Sequence, residues 1–478
     1  MKAKHPKNLT SGAETCETAK PKRSIGLYAL LVLNVVLFIS MLMLCGVYLN
    51  MRINGVRSGL PEIPENDKWV LSGSGYNVQS GSRSLLAPSF IGVKSGNTML
   101  AAAFDTAARA NFIGALETNL DAVLAGSCEP IPFAGEDEKN AYTAALLQEE
   151  RFFYASFFGE LPAAALLPAV RSGNFPSLSE NFFVKYLFFL PDENENLYAV
   201  CLDADLNAVR LYPEQAVLYT LDEFAAYTGM SGYVSFTFAQ TKRPAALFDR
   251  SFDVDAVVIL PSDAFYSFDL ADDNTKQLLA ALDFNTNMVK SFRSGDNSTV
   301  SFVGEGHELY VSLTEDTVTY SAYEGGIHMS EYLGYYPSDG KRYSFDDEVL
   351  CVKYLLGSLD RTLIGGDACA SLVSVTKNDS GNTVFGLKYV YNGVVLTENP
   401  LDITVEISGS YITELHIHTL FCDGGSLKKP VLPQTLAMSL LKDEQAAQRY
   451  DEFYAIFEND ADTNQHKLVW AAGKAGND

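Results

Sequence analysis

A chain of 478 residues, 47% hydrophobic and 20% charged, has the length for two to four domains and the composition of ordinary globular material. Its formal charge of −24 is divided by position: residues 1–52 hold seven Lys and Arg against two Asp and Glu, and the remainder holds 28 against 57, a net of −29. A surface of that sign excludes nucleic acid and anionic lipid headgroups as partners of the larger part.

Residues 1–24 form a basic tail in which Lys2, Lys4, Lys7, Lys20, Lys22 and Arg23 are opposed only by Glu14 and Glu17. No side chain from Ile25 to Leu49 is charged, and 25 residues at about 1.5 Å each exceed the roughly 30 Å of bilayer hydrocarbon. Positive residues are retained in the cytoplasm, so a transmembrane helix is expected at 25–49, with the tail inside and the bulk outside the cell membrane. The apolar run is longer than a signal-peptide core, and no small-x-small site follows it. Leu44 before Cys45 also departs from a lipoprotein signal. Asn34 and Ser40 lie inside the span, where a polar side chain can hydrogen-bond a neighbouring helix, and both are candidate contacts with a partner. An asparagine tolerated alone is the competing reading.

Residues 50–85, rich in Gly, Ser and Asn, read as a flexible stalk. Leu100, Phe104, Ala108, Phe112, Leu116 and Leu120 recur every four residues and predict a helix from Met99 to Ala125. A second helical region is expected from Ala141 to Phe158, including the aromatic run RFFYASFF, and Pro162 and Pro168 interrupt the segment after it. Strands are expected at Phe182–Leu190 and Leu197–Tyr212 around the turn cluster PDENEN, then at Tyr233–Gln240 and Ala256–Leu260. A boundary is placed near Thr241–Pro244. Thr275–Leu282 reads as a short helix, with a meander of STVSFV, HELYVSL and TVTYSAY beyond it. Ser344-Phe345-Asp346-Asp347 resembles a capping box before DEVLCVKYLLGSL, with Asp where Glu or Gln is usual. Asn392-Gly393 predicts a tight hairpin turn, and Gly409-Ser410 joins LDITVEIS to YITELHIHTLF. A short helix (LAMSLLKD) then leads to YDEFYAIF, a polar turn and HKLVWAAG. The fold class is α+β. After the membrane helix come extracytoplasmic domains of antiparallel sheets, each packed with one or two helices, at 86–243, 244–340 and 341–478.

Little of this carries chemistry. His416 and His418 share a strand face with Glu414, but spacing places no third ligand beside them, and a solvated outer face competes with a metal site. Asp203, Asp205 and Asn207, with Glu214 at the twelfth place, imitate a calcium loop. Ala208 stands where Gly is needed and Leu211 where an oxygen is usual, which favours a hairpin turn. Ser374 and Lys377 match SxxK without its companion boxes. His307-Glu308 opens like HExxH, yet Val311 holds the fifth place. No GxSxG, P-loop, GxGxxG or CxxCH occurs. Cys128, Cys201, Cys351, Cys369 and Cys422 are odd in number and far apart, which fits single buried thiols better than a disulfide framework. The residues assign no catalytic, cofactor or metal site, and no cofactor is expected.

The arrangement resembles the YycH/YycI family of Gram-positive regulatory proteins. The matching pieces are the anchor with its LNVVLF core, LLAALDFNTNMVKSF followed by HELYVSLTEDTVTY, and YVYNGVVL with HKLVW, which look like PepSY-like repeats. The likeness covers residues 25–52 and 270–470. It implies a non-enzymatic, single-pass accessory protein of a two-component sensor kinase of cell-wall homeostasis (YycG, also called WalK). Its outer domains would bind a sister regulatory protein, and its membrane helix would contact the kinase's transmembrane helices. PepSY-like repeats imply an alternative, an inhibitor or stabiliser of a peptidoglycan hydrolase. A membrane-bound hydrolase remains the enzymatic alternative, and a cleft with two facing carboxylates would mark it.

Overall fold

The computed structural model describes Leu85, residues 87–163 except 105 and 125, residue 166, and residues 182–239, 243–260, 266–337, 342–359, 363–437, 452–460 and 465–473. The expected transmembrane helix Ile25–Leu49, with Asn34 and Ser40, lies outside the described residues, as does the stalk up to residue 84. Among the described residues no helix is long and apolar enough to cross a membrane.

Nine strands form a first sheet among the described residues, in the order Ser127–Ile131, Ala208–Tyr212, Leu197–Leu202, Phe183–Pro191, Arg151–Pro162, Pro88–Ser95, Thr98–Ala102, Tyr233–Phe238 and Ala246–Phe248. Every pairing in it is antiparallel. Helix α1 (Thr106–Leu124) and the 3-10 turn Leu221–Tyr227 cover one face, where the Phe112 ring lies 5.5 Å from Phe153 and 4.7 Å from Phe224. On the other face Phe90, Phe152, Tyr154, Phe188, Phe236 and Phe238 interlock at centroid distances of 4.9 to 6.0 Å. Helix α2 (Glu136–Gln148) buries only Thr143 and Leu146.

Three expectations are corrected here. The helix of the four-residue stripe starts at Thr106, and Leu100 belongs to the strand Thr98–Ala102, which is paired on both sides. Two ladders override the local periodicity there. The run RFFYASFF is a strand rather than a helix, because α2 ends at Gln148 and Arg151–Pro162 takes a central place in the sheet. A strand buried on both faces shows a continuous apolar run with no alternation, which periodicity cannot separate from a buried helix. Likewise, Leu197–Tyr212 is two strands around a turn at 203–207.

Among the described residues, a second sheet of fifteen strands opens with the meander Lys290–Arg293, Thr299–Val303, His307–Ser312 and Thr317–Ala322. It continues through Tyr411–His418, Ile403–Ser408, Thr383–Tyr391 and Val394–Val395 to Glu452–Asp460, Gln465–Gly473, Phe252–Leu260, Leu420–Val431 and Ile364–Gly366. Ile327–His328 joins the Tyr411 strand, and Cys369–Lys377 joins the Thr383 strand. Strands from both sides of residue 340 share this sheet, and two of its pairings are parallel.

Strict alternation builds its core. Phe302, Leu309, Tyr320, Leu415, Val405 and Phe385 stand opposite one another across six strands, and all are buried. Helix α3 (Asp273–Ala281), the short α4 (Ser330–Leu333) and α5 (Phe345–Ser358) accompany the sheet. Val349, Val352, Leu355 and Leu356 of α5 enter the same core. The start of α5 is the capping box that its sequence foreshadows: Ser344 Oγ accepts Asp347 N–H at 3.2 Å, and Asp347 Oδ2 accepts Ser344 N–H at 2.8 Å. Asn392 and Gly393 both take positive φ, 51° and 85°, as a mirror-image hairpin turn requires.

The sheets are joined by backbone as well as side chains. Leu372 N–H donates to Leu85 O at 2.8 Å, and Ala87 N–H donates to Ser371 Oγ at 3.2 Å. Phe248 N–H donates to Gln434 Oε1 at 3.2 Å. Trp470 lies 6.0 Å from Phe104 and 6.4 Å from Phe248, and its indole N–H donates to Leu432 O at 2.9 Å. Arg109 of α1 is buried in this joint, donates to Pro88 O, and fills the space that a Cβ on Gly393 would occupy.

Candidate interaction surface

The structure disperses the chemical candidates. His416 faces outward in the row Ser301, Tyr310, Thr319, His416 and Thr404, and its Nδ1 shares a 3.0 Å hydrogen bond with the Thr319 hydroxyl. Burial, then the charge of His418, pull its pKa below the ordinary value. Glu414 stands between Ser321 and Glu406 on the same face. No group of three or more His, Cys, Asp or Glu could hold a metal among the described residues.

The calcium-loop candidate is a hairpin turn. Asp203 Oδ1 accepts Asn207 N–H at 2.8 Å, Oδ2 accepts the Asn207 amide at 2.6 Å, and Leu206 takes φ 62°. Both carboxylate oxygens are thereby spent on the turn. Ser374 stands opposite Gly386 in a strand, so Lys377, three residues on, points to the other face and SxxK cannot act. His307 and Glu308 diverge for the same reason. His307 packs edge-on against Phe284 at 4.3 Å, while Glu308 accepts the Tyr323 hydroxyl. The five cysteines are free thiols, and burial raises Cys201, Cys351 and Cys422 well above an ordinary thiol. Such groups are poor nucleophiles.

What the structure brings together is aromatic. His328 pairs with Tyr411 across the sheet edge, and its ring lies 5.0 Å from Tyr411, 5.0 Å from Tyr336 and 5.9 Å from Tyr343. Tyr335 packs 6.1 Å from Tyr343. Yet Tyr336 is 70% exposed, Tyr335 45% and Tyr411 39%. The tail of α4 supplies two of them: Gly334 closes that helix in the left-handed conformation, φ 73°, and the chain leaves with Tyr335 and Tyr336 outward, while Tyr411 opens the strand Tyr411–His418.

Hydrogen bonds hold Tyr335, Tyr343 and His328 in place. The Tyr335 hydroxyl donates to Asp347, the capping residue of α5, and the Tyr343 hydroxyl donates to Tyr335 O at 2.8 Å. Burial, then the bond to that carboxylate, push the Tyr335 hydroxyl above its ordinary pKa, so it remains a donor. Ser330 N–H donates to His328 Nδ1 at 3.2 Å and fixes the imidazole. Reading for catalytic motifs misses this surface. Its signal is four tyrosines (Tyr332, Tyr335, Tyr336 and Tyr343) within residues 332–343, an aromatic density unusual for a connection between elements. Arg109 escapes such a reading as well, since nothing marks one arginine of an alanine-rich helix as buried. Burial pulls its guanidinium down to about 10.

No protein-family profile matches the chain, and no curated protein matches it by sequence. Among solved structures, the fold is similar to the crystal structure of YycH from Bacillus subtilis. The identity is 11%, and the match covers 83% of this chain and 96% of that one, with a TM-score of 0.54. An uncharacterized protein from Eubacterium rectale, 13% identical over 46% of this chain and 76% of its own, has a TM-score of 0.27, too low to carry an argument.

Proposed function

We propose that this chain is a membrane-anchored extracytoplasmic regulator that modulates a two-component sensor kinase of cell-wall homeostasis through protein–protein contacts. The observation that carries the reading is the YycH fold, shared over 83% of the chain and 96% of the solved structure. The sequence likeness that points to the same family, over 25–52 and 270–470, supports it independently of the coordinates. The charge asymmetry about residues 25–49 supports the anchor and its orientation, tail inside and sheets outside. In this reading the outer domains bind a sister regulatory protein, and the anchor, with Asn34 and Ser40, meets the kinase's helices.

Replacing residues 25–49 with an unrelated apolar helix of equal length tests the anchor's part. Loss of kinase control in a kinase-dependent reporter, with export and abundance unchanged, is the expected result. Normal control by the exchanged anchor would confine regulation to the outer domains. Release of sugar or peptide fragments from cell wall by the purified chain would replace the binding reading with an enzymatic one.

A further inference from the structure

We infer that the tyrosine–histidine surface at the α4 end of the second sheet docks an arginine-bearing segment of a partner protein. The inference rests on the reading of the chain as a binding protein, and it names the chemistry that such a partner must present.

The first ground is geometric. Tyr336, Tyr411 and Tyr335 expose ring surface while His328 and Tyr343 hold them from behind. Ser330 fixes the imidazole, Asp347 binds the Tyr335 hydroxyl and the Tyr335 carbonyl binds the Tyr343 hydroxyl. His328, Tyr335 and Tyr343 therefore have little rotamer freedom to lose on binding, and the fixed imidazole backs Tyr336 and Tyr411. Rigid aromatic side chains with a polar tip are the residues on which interfaces concentrate their binding energy.

The second ground is charge. Asp347 lies in direct contact with Tyr335, and Glu324, exposed, precedes Gly325, whose position abuts the Tyr411 ring. Arg342 is exposed on the way into α5, and Asp346 and Asp347 at the helix start outnumber it. A guanidinium satisfies both features at once, because its plane stacks on a tyrosine face while its edge donates to a carboxylate. An ammonium offers no such plane, and an uncharged apolar segment would gain nothing from the negative charge of Glu324 and Asp347. The net −29 of the bulk draws a cationic segment inward from a distance and sets no register. The rings supply the register.

The test uses the full chain in nanodiscs and a fluorescein-labelled peptide of alternating arginine and glycine, read by anisotropy at physiological salt. A counterpart with citrulline in place of arginine has the same shape and no charge. Arginine peptide binding at least tenfold tighter than the citrulline form is expected. The Tyr336→Ala/Tyr411→Ala protein, whose net charge is unchanged, should lose at least fivefold. Asp347→Asn, which removes the charge and keeps one acceptor oxygen for the Ser344 N–H, is the second variant and should lose about threefold. If the tyrosine variant binds within twofold of the parent, the acidic field alone holds the peptide and the inference fails. Equal binding of the citrulline peptide also overturns it, as does displacement by neutral peptidoglycan oligosaccharides. The kinase reporter separates the two readings. Peptide binding with no effect of the chain on the kinase sinks the regulatory function and keeps the docking surface, and the reverse result sinks the docking surface alone.

Discussion

The two sheets deploy their aromatic side chains in opposite ways. In the first, Phe112, Phe153 and Phe224 interlock on one face and Phe90, Phe152, Tyr154, Phe188 and Phe236 on the other, so rings form the core itself. The meander side of the second sheet is filled largely by aliphatic residues such as Leu309, Val311, Val318, Leu415 and Ile417, and tyrosines gather at its exposed edge. The difference separates two uses of one side-chain class. Packed rings contribute dispersion and area to stability, whereas exposed, tethered rings contribute almost nothing to folding and are available to a partner.

Phe153→Ala attacks that contrast most strongly. The ring is fully buried between Phe112, Phe189 and Phe224, and its loss should cost about 4 kcal/mol in chemical denaturation. A cost below about 2 kcal/mol would mean that the first core collapses around the gap and is not a jigsaw. Gly393→Ala comes next and strikes the joint between the regions. It adds a Cβ at φ 85° into the space held by Arg109, for an expected loss of about 3 kcal/mol. Paired with Arg109→Met, it should show a coupling of at least about 1 kcal/mol in a double-mutant cycle. Additive effects would show that the guanidinium and the turn do not constrain one another.

A smaller effect is expected from pH in the second sheet. Burial pulls His307 below its ordinary pKa, with Asp283 and then Glu305 opposing, and burial moves His416 and His466 the same way. The unfolded chain therefore takes up protons first. Stability should be complete above about pH 6.5 and decline as pH falls through the unfolded histidine range. His307→Gln should flatten that decline below about pH 6.5, and an unchanged slope would assign it to other groups. Smallest of all is Tyr336→Ala, expected within about 0.5 kcal/mol of the parent because the ring is 70% exposed. A larger loss would make the edge tyrosines part of the fold after all and erase the contrast.

Legibility in the sequence obeys the same division. Local signals in the second sheet are plain: the Ser344–Asp347 box, the Asn392-Gly393 and Gly409-Ser410 turns, and the alternation in STVSFV and HELYVSL. Each is written in a few neighbouring residues, and one wet face keeps the period of two visible. The first sheet is harder because Phe152–Ala155 of its central strand is buried on both faces, which erases alternation there. The tyrosine surface is invisible to a reading that seeks nucleophiles and ligands. Its members come from α4's tail, the start of α5 and the strand Tyr411–His418, and only tertiary structure assembles them.

The bond from Leu372 to Leu85 has a mechanical consequence. Leu85 stands just ahead of Pro88–Ser95, a strand flanked on both sides in the first sheet, and it is also bonded to the second sheet. Tension applied at Leu85 along that strand's axis would load two antiparallel ladders and the cross-sheet bond in shear. Shear strains all of those bonds simultaneously, whereas peeling would open them one at a time. Residues 87–95 and Leu85 are thus held as by a clamp rather than a zipper.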